Sequence, residues 1–139
     1  MPAHLTVLSP FLPPLELDEQ VLSALATAVA TVDSFDVTFA ATQWFGSEVL
    51  WLAPEPDAPL FALAERLVAA FPKYPPYRGK FATVVPHLTV AQAPEPVLDR
   101  LEGEVAARMA EPVAATVDAV ALFTTVDKRW CEVDRFRLG

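Results

Sequence analysis

The sequence is poor in the residues that form covalent cross-links and metal sites. It has one cysteine, Cys131, and two histidines among 139 residues. A single cysteine cannot form an internal disulfide, which is typical of a reducing compartment, so we expect a cytoplasmic location. No HxxxH, HExxH or CxxC spacing occurs, and a zinc site on the two histidines would need a third ligand such as Asp118 or Glu132. We therefore predict that the protein needs no metal and no other cofactor.

Long apolar runs are also missing. No run reaches the roughly 18 to 20 residues that a membrane-spanning helix needs. The N-terminus, Met1-Pro2-Ala3-His4, has neither the basic nor the apolar segment of a signal peptide. We expect a protein without a membrane partner.

Positive charge is scarce, with 10 lysines and arginines against 18 acidic residues and a net charge of −8. Repulsion from the phosphate backbone makes such a chain a poor binder of bulk duplex DNA. A small phosphate ligand responds to local charge instead, and Lys73, Arg78 and Lys80 form a local basic group.

The hydrophobic pattern predicts one α+β domain built from two similar units. In chain order we predict a strand at Ala3–Leu8, a helix capped by Asp18, a hairpin of Phe35–Phe39 and Val49–Leu52, a helix capped by Asp57, a strand at Val85–Gln92, a helix opened by Pro96, and a closing hairpin of Val113–Thr125 and Trp130–Leu138. The elements repeat, which predicts a single domain over residues 1–139 with a pseudo-repeat of residues 1–71 and 84–139. Helices should cover the sheets on their outer side.

A short motif is duplicated at matching places in the two units. His4-Leu5-Thr6-Val7 follows Pro2-Ala3, and His87-Leu88-Thr89-Val90 follows Val85-Pro86. Side chains alternate between the two faces of a strand, so histidine and threonine should project together from each motif. If the units pack around a pseudo-twofold axis, both pairs converge on one site.

Two histidines and two hydroxyls in one cleft suit phosphodiester chemistry. One neutral imidazole removes a proton from the attacking water or hydroxyl, and the other, protonated, donates a proton to the leaving oxygen. Free histidine titrates near pH ~6.5, so both forms are available around neutrality. Thr6 and Thr89 can donate hydrogen bonds to the non-bridging phosphoryl oxygens.

At these residues the sequence resembles the two-histidine (2H) phosphoesterase superfamily, in particular its bacterial 2′-5′ RNA ligase-like branch, whose hallmark is a pair of His-x-Thr/Ser motifs. The resemblance extends over nearly the whole chain, including the Pro72–Pro86 loop. It implies a bilobal α+β fold with two antiparallel sheets around a central cleft. It also implies catalytic roles for His4 and His87 in a metal-independent reaction on 2′-5′ linkages or 2′,3′-cyclic phosphates of RNA ends and small nucleotides.

The sequence departs from that family at its start. Family members usually carry a strand before the first motif, whereas here only Met1–Ala3 precede His4. We therefore expect the domain to lack this strand, which would leave an open sheet edge through which two copies could form a dimer.

Other candidate site residues lie in the loop before the second motif and in the first hairpin. Arg78 and Lys80 are candidates for phosphate binding, and Tyr74 and Tyr77 either stack on a base or pack among the prolines. Trp44 and Phe45 line the rim of the cleft or belong to the core.

The sequence thus predicts a phosphodiesterase that opens 2′,3′-cyclic phosphates or cleaves 2′-5′ linkages, with ligation as the reverse reaction. Two alternatives stay open: a non-catalytic nucleotide-binding module of the same fold, and a structural partner protein with an acidic interface.

Overall fold

The computed structural model describes residues 1–81 and 84–139. Over these residues the chain forms three helices, two sheets and two short 3-10 turns. The helices are α1 (Glu19–Ala30), α2 (Ala58–Ala70) and α3 (Glu95–Arg108); the strands are β1 (Phe35–Phe45), β2 (Val49–Glu55), β3 (Leu88–Gln92), β4 (Val113–Val117), β5 (Ala119–Val126) and β6 (Arg129–Arg137); the 3-10 turns are Pro14–Glu16 and Pro76–Gly79. All paired strands are antiparallel, so the predicted α+β class with two antiparallel sheets is confirmed. Among the described residues no helix has the length and apolar character needed to cross a bilayer.

The larger sheet has four strands in the order β3-β2-β1-β4. Alternation along β1 directs Val37 and Phe39 into the core. The register between β1 and β2 shifts between Phe39 and Thr42. Such a bulge changes which side chains face each side of the strand, and it therefore decides what the far end of β1 presents.

The smaller sheet is a two-stranded ribbon of β5 and β6. Asp127 and Lys128 connect its strands with φ angles of 48° and 63°, as expected for a tight hairpin turn whose twist matches the ribbon. The ribbon packs through Phe136 and Val120 on a core that α1 and α2 share. Within the described residues neither ribbon strand has a second hydrogen-bonded neighbour. Dimerisation through an open edge stays a prediction.

Helix α2 connects the two parts of the hydrophobic core. Its Leu63 and Leu67 pack with Leu25 and Val29 of α1 in the first cluster. One turn earlier, its Leu60 joins the second cluster on the four-stranded sheet. The regular apolar stripe of α2 therefore holds both sheets against one helical layer.

The first predicted strand is wrong. Residues 3–8 form no strand, although Leu5 and Val7 pack against the core as their pattern suggested. An apolar alternation reports which side chains are buried, but a strand also needs a neighbouring backbone for its hydrogen bonds. No ladder partner for residues 3–8 is present in the described parts of the chain.

The closing hairpin was also predicted with one strand too long. The range Val113–Thr125 divides at Asp118 into β4, which pairs with β1, and β5, which pairs with β6. The chain thus changes sheets at Asp118. Both pieces carry the same strand-like composition, so the pattern alone could not locate the break.

The two predicted helix caps differ in the structure. The Asp18 carboxylate accepts a hydrogen bond of 2.9 Å from the backbone N–H of Val21, as an N-cap should. Asp57 precedes α2 with helical backbone angles, and its side chain makes no capping bond. The predicted side-chain cap at Asp57 is therefore wrong.

This difference predicts unequal costs for the same substitution. Asp18→Ala should lower the free energy of unfolding by about 1 kcal/mol, because an orphan N–H loses its acceptor. Asp57→Ala should cost less than about 0.5 kcal/mol, since only its charge near the helix terminus is lost. Urea unfolding of both variants measures the two values, and equal losses would contradict the cap assignment.

Candidate active site

The second motif lies at the start of β3, which is the end strand of the four-stranded sheet among the described residues. His87 directly precedes β3, and Thr89 within β3 pairs with Trp51 of β2. The imidazole is half-buried, and its Nδ1 lies 2.8 Å from the carbonyl oxygen of Val85. Strand pairing therefore fixes the backbone of this motif, and a local hydrogen bond fixes one edge of the ring.

The first motif has the same local hydrogen bond without the strand. His4 is exposed, and its Nδ1 lies 2.9 Å from the carbonyl oxygen of Pro2. In both motifs the acceptor is thus the carbonyl two residues before the histidine. Since a carbonyl cannot donate, each Nδ1 carries the hydrogen and each neutral ring leaves the Nε2 lone pair available. That nitrogen can accept a proton, or donate one from the imidazolium form.

Packing brings the two motifs to the same part of the core. Leu5 and Val7 of the first motif and Leu88 and Val90 of the second contact one buried cluster. A small cavity of about 30 Å³ is lined by the first motif, by the residues before His87, by Pro76 and by α2. Its lining includes Leu5, Thr6, Val7, Val84 and Pro86. The structure therefore places Thr6 beside the segment that leads into His87.

An aromatic pair contacts His87. The centroid of the Phe45 ring lies 4.9 Å from that of the imidazole, and the two ring planes make an angle of 86°. For the Trp51 ring the centroid distance is 5.9 Å and the interplanar angle is 68°. Phe45 and Trp51 stack on each other at 4.6 Å and 18°. Because Trp51 pairs with Gln43 on one side and with Thr89 on the other, these side chains share one face of the sheet. Among the described residues, His4 has no such aromatic contact.

The opposite face of the hairpin belongs to α3. Glu102 of that helix accepts hydrogen bonds from the Thr42 hydroxyl at 2.7 Å and from the Trp44 indole N–H at 2.9 Å. Trp44 and Phe45 were left open between cleft rim and core. The structure separates them: Trp44 is bound to the helix, and Phe45 lies beside the catalytic candidate.

The loop before the second motif is hydrogen-bonded to the segment that follows the first motif. The backbone N–H of Tyr77 donates to the Ser9 carbonyl at 2.6 Å. Tyr77, Arg78 and Gly79 all have positive φ angles, which costs energy for the two residues that are not glycine. Arg78 and Lys80 are exposed and form no ion pair within the described parts of the chain. They stay candidates for phosphate binding.

The two tyrosines have packing partners of their own. Tyr74 donates a hydrogen bond of 3.2 Å to Glu16 and packs its ring on Phe11. Burial and the neighbouring Glu16 carboxylate raise the pKa of the Tyr74 hydroxyl. The rings of Tyr77 and Phe81 are nearly perpendicular, with their centroids 5.6 Å apart. Local packing thus accounts for Tyr74, and base stacking by either ring stays a prediction.

The carboxylates considered as zinc ligands are used elsewhere. Glu132 accepts two hydrogen bonds from Arg135, at 2.9 and 2.8 Å, which hold the pKa of Glu132 below its usual value. Asp118 lies 3.7 Å from Arg137. Within residues 1–81 and 84–139, no three histidine, cysteine or acidic side chains group together as metal ligands.

A wider groove of about 770 Å³ runs between α1 and α2. It is lined mainly by alanine, serine and threonine and contains none of the predicted site residues. Two matched histidines whose Nε2 atoms have no hydrogen-bond partner within the described residues offer chemistry that this groove lacks. We therefore assign the candidate active site to the two motifs.

Comparison with known proteins identifies the family of the chain. The family model of the 2′-5′ RNA ligase superfamily matches residues 1–129. The chain belongs to the 2′-5′ RNA ligase superfamily. Both motifs of this superfamily member lie within the matched range. A comparison with curated proteins found no match.

The chain is similar to the solved structure of E. coli LigT in its apo form, with 20% sequence identity and a TM-score of 0.58. The match covers 99% of this chain and 76% of LigT. E. coli LigT complexed with 3′-AMP gives 23% identity, a TM-score of 0.55, and coverage of 99% and 77%. A structure described as a phosphoesterase gives 21% identity and a TM-score of 0.53, with the same coverage. These likenesses establish a LigT-like fold.

Sequence reasoning missed the aromatic pair at His87. The bulge in β1 changes the alternation, so the face of Phe45 could not be counted from Phe39. The adjacent aromatic residues Trp44 and Phe45 were the available signal, because neighbours on a strand must face opposite sides.

The matched hydrogen bonds predict one tautomer for both histidines. When neutral, His4 and His87 should each carry the hydrogen on Nδ1, since that nitrogen donates to a carbonyl. Long-range ¹⁵N–¹H NMR above the titration range should show two unprotonated Nε2 resonances. A ring protonated on Nε2 in either motif would contradict the geometry.

Proposed function

We propose that the protein is a metal-independent phosphodiesterase acting on 2′,3′-cyclic phosphates or 2′-5′ linkages of nucleotides and RNA ends. Membership in the 2′-5′ RNA ligase superfamily supports phosphoesterase activity. One observation carries the proposal of acid–base catalysis by the two histidines. Each of two packed motifs has a histidine with Nδ1 bound to a carbonyl and Nε2 left for proton transfer.

The reaction needs one imidazole in each protonation state. The neutral histidine accepts a proton from water as the water oxygen bonds to phosphorus. The protonated histidine donates its Nε2 proton to the ribose oxygen as the P–O bond to that oxygen breaks. A cyclic phosphate is thereby opened to a monophosphate, and the histidines exchange protonation states. In ligation a ribose hydroxyl replaces water as the nucleophile: its oxygen bonds to the phosphorus of the cyclic phosphate, its proton passes to the neutral histidine, and the P–O bond to the ribose oxygen that the other histidine protonates breaks.

Two further pairs of residues stabilise the phosphoryl group in this proposal. The hydroxyls of Thr6 and Thr89 donate to the non-bridging oxygens, where preorganised donors contribute most as charge develops. Arg78 and Lys80 supply positive charge from the loop that is tied to Ser9. In a chain with a net charge of −8, such a local contribution is needed to attract an anion.

The substrate class is inferred from the small size of the nucleotide bound by a similar protein and from the net negative charge of this chain. The similar structure of E. coli LigT is complexed with 3′-AMP, which supports a small nucleotide as the ligand of this chain. The acidic surface disfavours long duplex substrates. We propose a nucleotide or a single RNA end as the ligand.

A second candidate is a non-catalytic nucleotide-binding module. It is favoured by one observation, that the first motif lies outside any strand and leaves His4 exposed. A less fixed histidine would lower the effective concentration of the catalytic group at the phosphate. Binding without turnover in the wild-type protein would select this candidate.

The test is turnover of 2′,3′-cyclic nucleotides and 2′-5′-linked dinucleotides in EDTA. His4→Ala and His87→Ala should each lower kcat by about 10²- to 10⁴-fold, the range for loss of a general acid or base. Thr6→Val and Thr89→Val should each lower it by about 10²-fold, as for one lost donor to a developing charge.

The matched control is Thr27→Val. The Thr27 hydroxyl donates to the Ser23 carbonyl on the exposed side of α1, away from both motifs. Its loss should leave kcat unchanged. Turnover that needs added metal, or that survives in both folded histidine variants, would contradict the proposed mechanism.

A further inference from the structure

The two otherwise matching histidines differ in what holds their rings. His4 has the hydrogen bond to Pro2 and is exposed. His87 has the equivalent bond to Val85 and is also in contact with the rings of Phe45 and Trp51. The duplicated motif therefore does not explain the whole environment of His87. The remainder comes from the β1–β2 hairpin.

We propose that Phe45 is a positioning residue that fixes the ring orientation of His87, with Trp51 as its rigid support. The proposal rests on the proposed function, because it concerns the geometry of one of the two acid–base groups. It concerns this chain's own hairpin, and it assigns Phe45 no contact with substrate.

The contact geometry supports a restraint on imidazole rotation. The hydrogen bond from Nδ1 to the Val85 carbonyl holds one edge of the ring. The perpendicular Phe45 ring, at a centroid distance of 4.9 Å, limits rotation of the imidazole plane about its Cβ–Cγ bond. Edge-to-face contact is also an attractive arrangement of aromatic rings. Together the two contacts leave Nε2 with one direction.

The support behind Phe45 is built on the sheet. Trp51 is only 7% exposed and stacks on Phe45 at 4.6 Å. Trp51 lies between Gln43 of β1 and Thr89 of β3 in the strand pairing. The residue that supports Phe45 is therefore paired directly with the second motif. A group held by paired strands keeps its geometry better than one held by a loop. Displacement of Phe45 should therefore be resisted.

Exposure decides which residue can be tested. Phe45 is 37% exposed and lies at the end of β1, so its replacement should cost little stability. Trp51 belongs to the core, and its truncation would disturb the sheet. Phe45→Leu removes the ring and keeps an apolar side chain, whereas Phe45→Tyr keeps the ring.

The experiment combines imidazole NMR with kinetics on 2′,3′-cyclic nucleotides. In Phe45→Leu, the ring ¹⁵N resonances of His87 should shift or broaden while those of His4 stay unchanged. The value of kcat should fall about 10- to 100-fold, the scale for a misoriented catalytic group, with KM within about twofold. Phe45→Tyr, which keeps the ring, should leave the His87 resonances and kcat at their wild-type values. Added to His87→Ala, Phe45→Leu should cause no further loss.

Trp44→Leu is the matched control, because Trp44 is the next aromatic residue on the same strand and faces Glu102 of α3. It should leave the His87 resonances in place. The proposal is overturned if these resonances are unchanged in Phe45→Leu, if Trp44→Leu shifts them equally, or if Phe45→Tyr fails to restore them. The NMR readout needs no turnover, so it decides on positioning even if the wild-type protein hydrolyses nothing and the proposed function fails.

Discussion

The candidate site depends on one hydrogen bond that occurs twice, between the imidazole Nδ1 of a histidine and the carbonyl two residues earlier. This bond decides which nitrogen is free and which way it is presented. It is local, so it can form wherever the backbone around the motif has the right shape. In the proposed function the acid–base groups thus come from two short segments, and the remainder of the fold has to bring these segments together.

The fold does so with unequal means. The second motif enters β3 and inherits its geometry from a strand ladder with β2. The first motif has no ladder and is held by the packing of Leu5 and Val7, by the bond between Ser9 and Tyr77, and by its own local bond. Helix α2 supports both, because its Leu60 belongs to the core cluster that both motifs contact. Backbone pairing is more rigid than side-chain packing, which gives the two histidines different degrees of restraint.

The sequence predicted structure correctly where local residues determine it. It failed where the structure depends on pairing with a distant segment of the chain. The helices, the first hairpin and the turn at Asp127 follow from periodicity and turn chemistry. Leu5 packs against the core, but the strand predicted for its segment does not form, since a ladder needs a second backbone that composition does not reveal. The break at Asp118 depends on which sheet each half joins. The contact between Phe45 and His87 depends on a bulge, and only coordinates locate it.

In the proposed function both imidazoles serve one phosphoryl group. Titration with a nucleoside 3′-monophosphate, followed by the ¹⁵N resonances of His4 and His87, tests it most directly. If the claim is right, both Nε2 resonances move together, with one dissociation constant and one ligand per chain. Movement of a single histidine, or two unrelated dissociation constants, would show that the motifs do not form a common site.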